Sequence, residues 1–432
     1  MMDTDRRSLV PLALTVALTL LVLAGMAGAA VPPPASASYS FPPEWDEHDA
    51  VWLGWTGEEV VRELQLRMID AMIAHVRITL LVTSEDVRAA ARDVLEAEGF
   101  DLDRIDFRIH PEWNFFIRDA GPRFLTDGAG LAVADFAWSY YGYPNLLAAG
   151  GGLDRGEVDD DLAREMGLPL VGSDVVAEGG ALEVSNTAIL TYRETAVQRN
   201  PGVPPEEIEQ EYLRMYGKQQ VIWLDRSPLA DKVFLGPKIG NYFGWGANGH
   251  VDEYVRFVDD STILVARIDP AEKDWDPLSR VDYDILEENL AELRKAVDVN
   301  GNPFRIVTLP VPALRHYVRT TQLEADGSGP WPGWEMNGYL GQATYRGFAP
   351  GDEIHVVPAL SYLNFFVTNG VVLAPAYWRE GLPEREREKD ETVRATLQRL
   401  FPDREIVQIR PLPANWWGGG MHCMTQQQPK VP

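Results

Sequence analysis

The chain has 432 residues, 45% of them apolar and 24% charged, a balance that fits a globular protein and excludes a disordered polymer, a collagen or a multi-span membrane protein. Lys and Arg number 39 against 65 Asp and Glu, a formal net charge of −26 that repels nucleic acid and anionic membranes and favours cationic ligands. With one cysteine, Cys423, neither an intrachain disulfide nor a Cys-rich zinc site can form.

In chain order, the first element reads as a targeting segment. Arg6-Arg7 precede an apolar run from Leu9 to Ala30, and Pro32-Pro33-Pro34 and Ala35-Ser36-Ala37 follow. A basic start, an apolar stretch and a small-residue site describe a secretory signal cleaved after Ala29 or Ala37. Asp5-Arg6-Arg7-Ser8-Leu9-Val10 fits the twin-arginine type, which exports folded protein. Left uncleaved, a run of this length would serve as a membrane anchor. The expected organisation is a signal over 1–37 and one catalytic domain over 38–432, exported to the periplasm or beyond the cell, with a membrane only where the signal is retained.

Helical and strand patterns then alternate. Val61, Leu64, Met68 and Met72 repeat at helical spacing, and Ile78–Val82 reads as a buried strand. Thr83 or Ser84 caps a helix ending near Gly99, and Ile105–Ile109 alternates like a strand. Leu286, Leu290, Leu293 and Val297 mark a further helix, as do Val393, Leu397 and Leu400. Short strands are expected at 262–265, 305–309 and 370–374, giving an α/β class. The stretch 320–352, rich in Gly, Pro and Trp, reads as a surface loop or the rim of a site.

Five segments carry residues suited to chemistry. Cys423 follows Gly418-Gly419-Gly420-Met421-His422. A lone buried cysteine is usually an inert small hydrophobe. Glycines, however, permit close backbone approach to a ligand, and a thiolate is a good nucleophile once a cation lowers its pKa. His422 adjoins it but, in extended chain, faces the other way. In Asn248-Gly249-His250-Val251-Asp252-Glu253, a strand would put His250 and Asp252 on one face, as an acid/base with a cation anchor or as a structural pair. Arg118-Asp119 precedes Gly121-Pro122, either a surface ion pair or a carboxylate at a turn. Glu178 precedes Gly179-Gly180, and Asn364 precedes an apolar strand. No phosphate-binding loop, dinucleotide fingerprint, H-E-x-x-H or G-x-S-x-G motif is present, and His75, His110, His316 and His355 are scattered and read as structural.

Together with Phe41-Pro42-Pro43-Glu44-Trp45-Asp46-Glu47-His48-Asp49-Ala50-Val51-Trp52-Leu53-Gly54-Trp55 at the start and Thr425-Gln426-Gln427-Gln428-Pro429 after the cysteine, these segments resemble the agmatine deiminase and bacterial (Porphyromonas-type) peptidylarginine deiminase family of the guanidine-modifying, pentein superfamily, from Phe41 to Pro429. The resemblance implies a five-bladed pseudosymmetric α/β propeller. Positions 119, 178, 250, 364 and 423 are separated by 59, 72, 114 and 59 residues, consistent with one contribution per repeat and an insertion in the third gap.

The resemblance also implies roles. Cys423 would be the nucleophile, His250 the general acid and base, and Glu178 the carboxylate that orients it. Asp119 and Asp252 would grip the guanidinium, Asn364 would contact substrate, and Phe116, standing where the family has Trp, would stack on it. Ala181 replaces the usual Asn or Ser after Glu-Gly-Gly, and the nucleophile loop is one residue short of the agmatine-type pattern. The implied reaction is hydrolytic deimination of agmatine or of arginine in a peptide through an amidino-cysteine, releasing ammonia, with no metal or organic cofactor. Transfer of the amidino group to an amine, and non-catalytic binding of guanidino ligands, are the alternatives. The implied partner is a small guanidino cation or an arginine-containing peptide, not nucleic acid, and an oligomer is compatible with all of this.

Overall fold

Five sheets repeat one plan: a strand runs antiparallel to the next, which pairs in parallel with a third. The computed structural model describes residues 39–112, 115–142, 156–233, 236–324 and 346–431, so the expected leader over 1–37, Asn114 and most of the 320–352 loop lie outside the described residues. From Tyr39 onward the chain forms one unit.

The first sheet joins the two ends of that unit. Thr425–Pro429 pairs antiparallel with His48–Gly54, which runs parallel to Arg77–Val82, itself parallel to Ile105–Ile109. The second consists of Arg123–Thr126, Leu131–Ala137 and Leu170–Val176, and the third of Glu183–Val184, Ala188–Tyr192 and Gln220–Leu224. The fourth consists of Val255–Asp259, Thr262–Arg267 and Arg305–Pro310, and the fifth of Phe366–Thr368, Val371–Pro375 and Glu405–Ile409. Parallel neighbours need a long crossover, and helices supply it in every sheet. Glu59–Ile73, Val158–Met166, Pro205–Tyr216, Pro277–Leu293 and Glu384–Leu400 fill that place in turn.

A sixth sheet stands apart from the repeat. Tyr242–Trp245 pairs with Glu353–Pro358, which pairs with Arg319–Gln322. Two of its strands lie between His250 and Asn364, where the sequence spacing places an insertion.

The expected elements form with small changes. Ser84 Oγ accepts from the Val87 amide at 3.2 Å and opens the helix Glu85–Ala97. Val61, Leu64, Met68 and Met72 bury against Val51, Leu53, Ile78 and Leu80. The helix through Leu286 stops at Leu293, and Val297 falls outside it because Asp298 accepts from the amides of Asn300 and Asn302 and turns the chain. Among the described residues no helix is long and apolar enough to cross a membrane.

The segments preceding the five hairpins meet around the centre. Arg118 N donates to Cys423 O (3.1 Å), Gly180 N to Asp119 Oδ1 (3.0 Å), and His422 N to Asn364 O (3.3 Å). Ser361 Oγ donates to Glu253 O, and His250 Nε2 lies 3.7 Å from Glu178 Oε2, which closes the circuit. Each turn thus touches the next, and the side chains of all five face one point.

Candidate active site

Below that point the centre of the ring is polar. Glu44 accepts from His422 Nε2 (2.7 Å), Arg256 Nη2 (2.9 Å) and Arg118 Nη2 (3.2 Å), and from the Val367 amide (2.7 Å). Burial opposes the charge, but Arg256, His422 and Arg118 hold this carboxyl far below its usual range. Arg118 is therefore buried in an ion network and is not half of a surface pair.

The nucleophile loop is shaped by what surrounds its glycines. A Cβ on Gly419 would lie 2.8 Å from Phe116 Cε1 and 3.0 Å from Cys423 Sγ, and one on Gly420 would lie 2.5 Å from Asn364 Oδ1. Only glycine lets this backbone pass so close to its neighbours. The Phe116 ring and the sulfur both lie close against Gly419.

Asn364 Oδ1 accepts from His422 N (2.9 Å), and its Nδ2 reaches Cys423 Sγ (3.3 Å) and Asp252 Oδ2 (3.2 Å). The amide ties the loop, the sulfur and the carboxylate together.

His250, Asp252 and Glu253 do not lie on a strand. Val251–Glu253 is a single 3-10 turn headed by His250, because Asn248 and Gly249 carry φ of 65° and 109° and swing the chain inward. Asp231 fixes that approach: its carboxylate accepts from the amides of Ala247 (2.8 Å), Gly249 (2.7 Å) and His250 (2.8 Å). In a 3-10 turn, residues three apart eclipse, so His250 and Glu253 share a face. Glu253 is a site residue that the strand reading missed.

The imidazole of His250 is fully buried between two carboxylates, with Nδ1 3.6 Å from Asp119 Oδ1 and Nε2 3.7 Å from Glu178 Oε2. Burial disfavours its charge, but Asp119, then Glu178 and Asp252, outweigh that and raise its pKa to about 9. Glu178 is itself anchored by Arg199 Nε at 2.9 Å, and although burial pushes upward, Arg199 and His250 hold it at about 2. Asp119 accepts from Tyr141 Oη (2.9 Å) and from the Gly180 amide, while burial shifts its pKa upward. Tyr141 and Arg199 are further residues that the sequence left unmarked.

Cys423 is 1% exposed, with Sγ 3.7 Å from Asp252 Oδ2 and 3.8 Å from Glu253 Oε1. Burial, then Asp252, Glu253 and Asp119, push the thiol well above its usual pKa. The sulfur and one oxygen from each of these two carboxylates lie within 4.8 Å of one another. Asp252 Oδ2 is already taken by His422 Nδ1 (2.6 Å) and Asn364, whereas Asp252 Oδ1 makes no hydrogen bond within the protein. The trio is a cradle suited to a planar organic cation with several N–H donors.

Comparison with known proteins gives one consistent result. The family model described as Porphyromonas-type peptidyl-arginine deiminase matches residues 40–429. A Streptomyces avermitilis protein provisionally named agmatine deiminase is 28% identical over 414 residues, covering 92% of this chain and 99% of that one. A Legionella pneumophila protein with the same provisional name is 25% identical over 417 residues, 92% and 97% of the two chains. Among solved structures, agmatine deiminase of Enterococcus faecalis superposes with a TM-score of 0.69 at 21% identity, over 91% of this chain and 96% of that one. A Cys-to-Ser agmatine deiminase from C. jejuni with substrate bound gives 0.64 at 17% identity, over 91% and 97%.

Proposed function

The chain belongs to the Porphyromonas-type peptidyl-arginine deiminase family, and from that premise we propose that it hydrolyses a guanidinium to a ureido group and ammonia through a covalent amidino-Cys423 intermediate. The observation that supports this most is the pairing of one buried sulfur with buried carboxylates and an imidazole held between two more.

The guanidinium donates N–H groups to Asp119 and Asp252, which fix its plane beneath Sγ. Its charge offsets the carboxylates that hold the thiol protonated, and so eases loss of the S–H proton. Sulfur attacks the guanidinium carbon and forms a C–S bond. His250, cationic at neutral pH, gives its proton to the departing nitrogen, and ammonia leaves as the C–N bond breaks. Water then attacks the amidino carbon and passes a proton to the now neutral His250. Collapse breaks the C–S bond, the remaining hydroxyl proton leaves to solvent, and the ureido product is freed. Glu178 and Arg199 hold the imidazole in line throughout. Asn364 keeps the sulfur against Asp252, and Phe116 forms one wall beside it.

Agmatine and an Nα-acyl-arginine amide are the two substrates to compare. Release of ammonia with carbamoylputrescine or citrulline, abolished in Cys423→Ser, supports the reading. No ammonia from either compound overturns it, and a yield diverted by an added amine replaces hydrolysis with amidino transfer. We propose residues 1–37 as an export leader, a setting that favours guanidino groups on peptides outside the cell.

A further inference from the structure

Four carboxylates line the site, and three of them have a basic side chain as partner. Glu178 has Arg199 at 2.9 Å, Asp252 has His422 at 2.6 Å, and Asp119 has His250 at 3.6 Å. Glu253 has none among the described residues: its carboxyl is buried, and the side-chain atom it meets is Cys423 Sγ at 3.8 Å. The proton on that sulfur must go somewhere when the C–S bond forms. His250 cannot take it, because it already carries the proton needed by the leaving nitrogen. Asp252 Oδ2 is occupied by His422 and Asn364.

We propose that Glu253 is the base that receives the Cys423 proton, an assignment that rests on the deiminase reading above. In the substrate-free protein, burial and the neighbouring carboxylates favour the protonated form of Glu253. When the guanidinium docks beside Asp252, its charge makes the Glu253 proton unfavourable, and that proton leaves to solvent. The carboxylate then takes the S–H proton as sulfur attacks carbon, and returns it to sulfur when the C–S bond breaks. With a neutral ureido product in place, Glu253 takes up a proton from solvent again, so the site holds the cation and sheds the product.

The groups facing Glu253 agree in sign. Asp252 on its own turn, Asp231, Asp119 and Cys423 all meet it from neighbouring segments, as do the buried rings of Tyr192, Tyr254 and Tyr377. None of these is cationic, and burial followed by Asp252 and Asp231 raises its pKa well above the usual carboxyl range.

The test separates this role from the general one. Agmatine and an Nα-acyl-arginine amide are titrated calorimetrically into Cys423→Ser at neutral pH, in buffers of differing ionisation heat. Loss of about one proton per ligand is expected, and none in the Cys423→Ser, Glu253→Gln double variant. Against wild type, Glu253→Gln should lower kcat by about 10²–10⁴-fold, the usual contribution of a positioned proton acceptor. Glu253→Asp should restore the proton loss and part of kcat, which carries the test if the Gln form misfolds. Cation binding without proton loss, or a Gln form with full kcat, overturns the assignment while leaving the deiminase intact. Failure of wild type to bind or turn over either compound overturns both.

Discussion

His422 and Asp252 are joined at 2.6 Å, although they lie on different segments of the ring, and the far nitrogen of the same imidazole meets Glu44 at 2.7 Å. The histidine next to the nucleophile is therefore a strut between two buried carboxylates. It holds the Asp252 oxygen that lies 3.7 Å from the sulfur and leaves the other without a hydrogen bond in the protein.

His422→Gln removes the imidazole that bridges the buried carboxylates of Glu44 and Asp252. Leaving a buried acceptor short of its hydrogen bond costs about 1–3 kcal/mol. A lower urea midpoint with unchanged m-value is expected, together with reduced kcat/KM as Asp252 loses its hold. An unchanged midpoint would mean that Glu44 and Asp252 are satisfied without the imidazole.

The pH dependence follows from His250. Its pKa rises from 6.5 to about 9 on folding, so its charge favours the folded state fully below pH 6.5, and that contribution fades as pH climbs through about 9. Activity needs the same proton. Both kcat/KM and thermal stability should therefore decline on an alkaline limb near pH 9. Glu178→Gln removes one of the carboxylates that support the charge and should move that limb to lower pH. A limb that stays in place would show that Asp119 alone sets the imidazole.

Gly180 sits where a side chain cannot. A Cβ there would lie 2.6 Å from His250 Nδ1, 3.0 Å from Asp252 Oδ2 and 3.1 Å from Asp119 Oδ1. Gly180→Ala should cost about 10²-fold in kcat/KM by misplacing these groups while leaving the circular dichroism of the protein unchanged. Wild-type kinetics in this variant would contradict the packing around the imidazole.

Asp231 touches no reacting atom, yet three amides of the turn leading to His250 depend on it. Asp231→Ala leaves them unpaired at about 1–3 kcal/mol each. The expected result is a lower melting temperature with kcat reduced more than KM is raised, measured against an Asp231→Asn control that keeps an acceptor.

Much of this was open to reading in one dimension, for an identifiable reason. Asp119, Glu178, His250, Asn364 and Cys423 each stand a few residues before a strand, and Asp119, Glu178, His250 and Cys423 lie within three residues of a glycine, so local chemistry and position coincide. Glu253 was hidden by period: read as alternating strand, it faces away, and only the 3-10 turn set up by Asn248-Gly249 brings it beside Cys423. Tyr141, Arg199, Asp231 and Glu44 act through partners 16 to 378 residues distant, and nothing in their own neighbourhoods announces the pairing. The motif around Glu44 marked family membership but not its place beneath the site.

The sheet that joins the ends of the unit also sets a timetable. The edge strand beside His48–Gly54 is Thr425–Pro429, and the catalytic sulfur precedes it by two residues. While the ribosome still holds Cys423 and Thr425–Pro429, the ring stays open and no thiol has reached the site. Chemistry therefore begins only once that strand has joined His48–Gly54. A chain that stops before Cys423 is inert however well the rest has folded.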